Sequence, residues 1–167
     1  MRVPLPTQPD ARGLRIGLVV SRYHDAIVDR LADGAARIFT KAGGDPVDLV
    51  RIDAPGAYEL PVVAAALLRR GDINAAVVLG LVLTGETTHD RYISGSIAHA
   101  LQELAIETGK PAAFGVLTCQ TIAQAEARAG GDKGNKGEEA MAAAVLAVSA
   151  VRAARELPAR GRRGTIA

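Results

Sequence analysis

The sequence predicts an α/β fold in which a parallel sheet of four strands carries helices on both faces. Three observations lead there. Short apolar runs alternate with segments of helical period along the whole chain. The connections are only a few residues long, and strands joined through short helical crossovers run parallel and cross right-handed. The run "AAVVLGLVL" (Ala75 to Leu83) is continuously apolar, as a strand covered on both faces is.

"LRIGLVV" (Leu14 to Val20) is the first strand, ending at Ser21. Asp25 to Ala42 places Ile27, Leu31, Ala35, Ile38 and Phe39 at helical spacing, and "AGG" stops it. "VDLVRI" (Val47 to Ile52) is the second strand, closed by Pro55 and Gly56. "ELPVVAAALLRR" is a helix opening near Pro61, a residue tolerated in a first turn. After the third strand, Ala75 to Leu83, a long helix runs from about His89 to Thr108. "AAFGVLT" (Ala112 to Thr118) is the fourth strand, "TIAQAEARA" a short helix, and "GEEAMAAAVLAVSAVRAARE" the last helix.

With 167 residues and 49% hydrophobic content the chain suits one domain with a proper core, and 3% aromatics without Trp make that core aliphatic. The division expected is an extended arm over 1–13, a single domain over 14–157 and a basic flexible tail over 158–167. Prolines bar the arm "VPLPTQP" from a helix and suit it to pairing at a foreign sheet edge. A net charge of +2 spread over both signs gives no nucleic-acid footprint outside the basic C-terminus. The N-terminus lacks the apolar stretch of a signal peptide, and no uncharged apolar run approaches the ~18 residues of a membrane helix. One cysteine excludes an internal disulfide and fits a reducing, cytoplasmic setting.

Ligands of an open parallel sheet bind at the carboxyl ends of the strands, where strand order reverses. In a flavodoxin-like order the first and third strands flank that point. The loops there are "SRYHD" and "TGETTHD", with "APGAYELP" close by. Gly85 permits a tight turn, and the amides that follow it open a helix whose dipole favours phosphate or carboxylate. Taken alone, "ETT" reads sooner as an ordinary N-cap than as an anion site. His89 favours the site: the dipole there disfavours charged imidazole, and a neutral ring takes protons near neutral pH.

Arg128 is either a charge suited to a helix C-terminus or a clamp on the same anion from across the cleft. Tyr23 is placed to stack on a planar ligand or to cover its loop, and Glu59 to accept from a ring N–H or to stand exposed. "GGDKGNKG" lacks P-loop spacing, follows no strand and reads as a flexible turn. Cys119 is placed at a helix start, where a thiolate is stabilised, and without a nearby His it reads as small and structural. His24, His89, His99 and Cys119 show no metal-ligand spacing, so no metal is expected.

"PGAYELP", "GETTHDRYI", "FGVLT" and "QAEARAGGDKGNKGEEA" resemble the signature segments of the lumazine synthase family, in family order and spacing. The resemblance implies a transferase of riboflavin biosynthesis that needs neither metal nor organic cofactor. It condenses 5-amino-6-(D-ribitylamino)uracil with 3,4-dihydroxy-2-butanone 4-phosphate, giving 6,7-dimethyl-8-ribityllumazine, phosphate and water. By motif, Tyr23 stacks on the pyrimidine, Ala57, Tyr58 and Glu59 hold pyrimidine and ribityl chain, and Leu81, Val82 and Leu83 line the pocket. Glu86 and Thr87 take the butanone phosphate at the helix N-terminus, and His89 transfers protons. Arg128 pairs with the phosphate, Lys136 is a second cation, and Phe114 and Arg128 act across a subunit interface. As partners the resemblance implies small-molecule substrates, further copies of the chain in a pentamer or icosahedral shell, and riboflavin synthase, with no nucleic acid and no membrane. The sequence departs from the family habit at Tyr23, His24, Thr84 and "HDRYI". Those departures keep one alternative open, a ligand-binding or shell homologue with weak turnover.

Overall fold

The computed structural model describes residues 3–158, so the tail beyond Pro158 lies outside the described residues. Four strands, β1 (Ile16–Ser21), β2 (Leu49–Ala54), β3 (Ala75–Leu83) and β4 (Ala112–Cys119), form one parallel sheet in the order β2-β1-β3-β4. Helices α1 (Asp25–Lys41), α2 (Leu60–Leu68), α3 (His89–Thr108), α4 (Ile122–Arg128) and α5 (Lys136–Arg155) alternate with them. The sheet order reverses between β1 and β3, as the flavodoxin-like reading requires.

Side chains of a strand alternate between faces, and the two central strands use both. Leu18, Val20, Val77, Leu79 and Leu81 join α1 and α5 in one buried cluster. Val19, Ala76, Val78 and Val82 join α2 and α3 in the other. Every residue of β1, and all of β3 but its last, is buried. An apolar run without alternation is what two covered faces demand.

Three expectations need correction. The second strand begins at Leu49 rather than Val47. The Asp45 carboxylate accepts from the Val47 amide at 3.1 Å, and Pro46 has its φ already set, so Pro46–Asp48 close a single 3₁₀ turn first. Cys119 ends β4 and does not begin a helix; α4 starts at Ile122, capped by the Thr121 hydroxyl, which accepts from the Gln124 amide at 3.2 Å.

"GGDKGNKG" is no loose turn. It folds into the antiparallel pair β5 (Ala129–Gly131) and β6 (Gly134–Asn135). Gly130 and Gly134 take positive φ of 102° and 76°, which is why glycine stands there. Asn135 then locks the hairpin to its neighbours. Its Oδ1 accepts from the Gly137 and Glu138 amides at the start of α5, and its Nδ2 donates to the Arg30 carbonyl of α1 at 2.8 Å.

Among the described residues the arm forms neither helix nor strand, and its last residues close a turn in which the Leu14 amide donates to the Ala11 carbonyl at 3.0 Å. Val3, Pro4, Leu5 and Pro6 border one groove with Ala150 and Ala153 of α5. On α5 itself Met141, Ala144, Val145 and Val148 face the core, while Ala143 and Ala150 stay exposed. No helix among the described residues is long and apolar enough to cross a membrane.

Candidate active site

A cavity of about 510 Å³ opens at the carboxyl ends of β1 and β3, where the strand order reverses. Leu81, Val82 and Leu83, the last residues of β3, line it from the sheet. Gly80, just before them, leaves little room for a side chain. A Cβ there would stand 3.1 Å from Leu60 Cδ1 and 3.2 Å from Ser21 Oγ, so the bare backbone lets α2 start close against the sheet.

Tyr23 reaches the cavity from the β1–α1 loop. The adjoining His24 takes a left-handed backbone (φ 64°, ψ 42°) as N-cap of α1, a conformation His tolerates better than most residues. The two rings meet edge to face at 4.8 Å, and the Tyr23 side chain is left exposed on the cavity wall. Ala57, Tyr58 and Glu59 come from the loop after β2, with Glu59 in the N-cap position of α2.

Thr84, Gly85 and His89, from the loop that leads into α3, complete the lining. Thr84 continues the β3–β4 ladder, donating its amide to the Cys119 carbonyl at 2.9 Å. Thr88 occupies the N-cap of α3 but makes no capping bond with its side chain. The explanation of "ETT" as an ordinary cap is therefore not the geometry found. Among the described residues the amides of Glu86, Thr87 and Thr88 donate to no group of the chain. Thr87 Oγ1 instead lies 2.7 Å from His89 Nδ1 and fixes the ring, which packs over Gly85. That contact leaves Nε2 free for a proton. Glu86 and Thr87 are exposed on this loop and stand outside the cavity wall proper.

The remaining predicted residues gather elsewhere. Phe114, Arg128 and Lys136 line a second cavity of about 480 Å³, together with Cys119 and Glu139. The two cavities share no lining residue. Arg128 donates to the Gln124 carbonyl at 3.1 Å and, among the described residues, pairs with no carboxylate. Lys136 does: its ammonium sits 2.6 Å from a Glu139 carboxylate oxygen, in a pair that is open to water on both sides. Burial pushes the Cys119 thiol above its ordinary value, against the smaller opposing pull of Arg128. This is the reverse of the stabilised thiolate expected at a helix start, and follows from its place at the end of a buried strand.

Three features escaped the sequence reading: the left-handed turn at His24, the buried Ser21 hydroxyl, which has no hydrogen-bond partner among the described residues, and the pairing of Thr84 with Asp90 described below. The first left a weak signal, since His, Asn and Asp are the side chains that enter that region most readily.

The family model of 6,7-dimethyl-8-ribityllumazine synthase matches residues 13–152. The chain belongs to that family. The match covers β1 through most of α5, hence both cavities and every candidate residue from Tyr23 to Lys136. The 6,7-dimethyl-8-ribityllumazine synthase of Thermus thermophilus is 41% identical over 124 residues, 74% of this chain and 79% of the relative. That of Aquifex aeolicus is 42% identical over 127 residues, 74% of this chain and 82% of its own. The Streptomyces coelicolor synthase is 44% identical over 117 residues, 70% of this chain and 71% of its own.

Proposed function

We propose that the protein condenses 5-amino-6-(D-ribitylamino)uracil with 3,4-dihydroxy-2-butanone 4-phosphate, the penultimate step of riboflavin biosynthesis, releasing phosphate and water. One observation carries this reading. An apolar cavity at the switch point is bordered by a histidine fixed through Thr87 and by a loop with unused amides at the start of α3.

The chemistry divides among those parts. The cavity between Tyr23 and Leu81–Leu83 takes a flat pyrimidine, with Glu59 placed to accept from a ring N–H. The free amides of Glu86 and Thr87, backed by the α3 dipole, hold the phosphate and stabilise its charge as it leaves. Amine and ketone form an imine with loss of water, phosphate departs, and ring closure loses a second water. Each stage moves a proton, which His89 Nε2 gives or takes.

Phe114 and Arg128 belong to this site through a neighbouring copy of the chain, and Lys136 adds a weaker cation. The division into two cavities supports this, because His89 lines the first and Arg128 the second, and no residue lines both. Tyr92 at 76% and Ile106 at 81% exposure present apolar surface on α3, as an assembling protein does. A ring of five copies is the assembly proposed. In the family that the chain resembles, a short turn before the last helix goes with the icosahedral shell, and the β5–β6 hairpin carries no insertion there; the same resemblance supplies riboflavin synthase as a partner. The single, buried cysteine agrees with a cytoplasmic setting.

Incubation with both substrates, followed by lumazine absorbance and phosphate release, tests the activity. Binding of the pyrimidine without turnover would replace it with the ligand-binding alternative. Light scattering at micromolar concentration tests the assembly; a monomer or dimer sinks the shared site, and a stable pentamer sinks only the shell.

A further inference from the structure

Asp90 is a carboxylate only 8% exposed, at the second position of α3 beside the free amides. A buried carboxylate needs partners, and one in a first turn ordinarily finds them in the amides of that turn. Asp90 does something else. Its Oδ2 accepts from the Thr84 hydroxyl at 3.1 Å, across the mouth of the loop. Thr84 is itself fixed to β4 through its amide, and the Asp90 carbonyl accepts from the Ser94 hydroxyl one turn on. The carboxylate is thus tied to the sheet side of the loop, while the amides of Glu86, Thr87 and Thr88 remain unpaired. The condensation described above makes no use of either residue.

We propose that Thr84 is a positioning residue that holds the Asp90 carboxylate off the anion-binding amides, which the carboxylate would otherwise occupy in competition with phosphate. The inference rests on the assignment of those amides to the phosphate-bearing substrate. An internal carboxylate has no translational freedom to lose, so once released it outcompetes a dissolved anion for the same donors. The clasp removes that competitor while leaving an acidic residue to complement the α3 dipole.

The test uses the assembled protein and inorganic phosphate, with binding read by calorimetry and by inhibition of turnover. Thr84→Val, nearly isosteric, should weaken phosphate and raise KM for the butanone phosphate about tenfold. Asp90→Asn in the Thr84→Val background should restore phosphate binding to near the wild-type level, because the freed side chain no longer carries charge. A role confined to stability would not be rescued in this way. Undiminished phosphate affinity in Thr84→Val, or a loss that persists in the double variant, overturns the proposal. Should Thr84→Val fail to fold, Asp90→Asn alone decides: phosphate binding at least as tight as wild type supports the clasp, and weaker binding overturns it. Wild-type protein that neither binds phosphate nor turns over refutes the underlying assignment instead.

Discussion

His89 meets the chain through one nitrogen, Thr87 holding Nδ1 at 2.7 Å while the ring packs over Gly85. Replacing it by Ala removes the proton carrier and leaves the exposed loop free to keep its backbone. Turnover should fall about ten- to a thousandfold, with an unchanged melting temperature, in keeping with the usual worth of general acid–base help. A wild-type rate across pH would end the assignment. Arg128→Ala should behave differently: a lost charge-assisted contact costs about 1.5–3 kcal/mol and should appear in KM for the phosphate substrate alone. Equal weakening of both substrates would reduce Arg128 to a helix-end residue. His89 was legible in the sequence because its type and its place at a strand–helix joint are local facts. The Thr84–Asp90 bond was not, since it links residues six apart across a strand end, a loop and a helix start. No periodicity connects such positions.

Among the elements, β3 and α3 have the bounds that the sequence predicts, because a nine-residue apolar run leaves few alternatives and Gly109, with a left-handed φ of 62°, ends the helix. β2 is the contrary case. It is an edge strand whose first five residues are only partly buried or exposed, so hydrophobic pattern says little about where it starts, and Asp45 with Pro46 decides. Beside its pairing with β1, charge ties this edge to α1. Arg51 on β2 reaches Asp29 of α1 at 2.6 Å, and Arg22 after β1 reaches the same carboxylate at 2.9 Å. The Arg51 hydrogen bond, and then that of Arg22, hold the Asp29 carboxyl below its ordinary value. A lowered folded value means stability that is present above the unfolded pKa and lost as pH falls through the folded one. Asp29 is 41% exposed, so water screens the pair and its worth is at most about 1 kcal/mol. Wild type should exceed Asp29→Asn in urea midpoint by a constant margin above about pH 5, and the margin should close as pH falls below about 4. A margin independent of pH would mean that packing, not charge, holds the edge.

For the whole molecule, the layered fold follows from alternation of elements, and that much is written plainly along the chain. Which surface remains uncovered is not, because "MAAAVLAVSAV" reads as apolar on nearly every side and only the packing shows Met141, Ala144, Val145 and Val148 turned inward and Ala143 and Ala150 outward. The division of the candidate residues between two cavities has a consequence for chains of mixed genotype. In a ring where each contact joins one cavity of a chain to the other cavity of the next, damage to different cavities is not additive. Pure His89→Ala rings and pure Arg128→Ala rings each spoil every site. Unfolded together in equal amounts and reassembled, they should form about a quarter of their sites from one intact face of each parent, with another quarter carrying both lesions at once. Activity should therefore reappear on mixing two feeble preparations. If the mixture never exceeds the mean of its parents, each chain carries a complete site of its own.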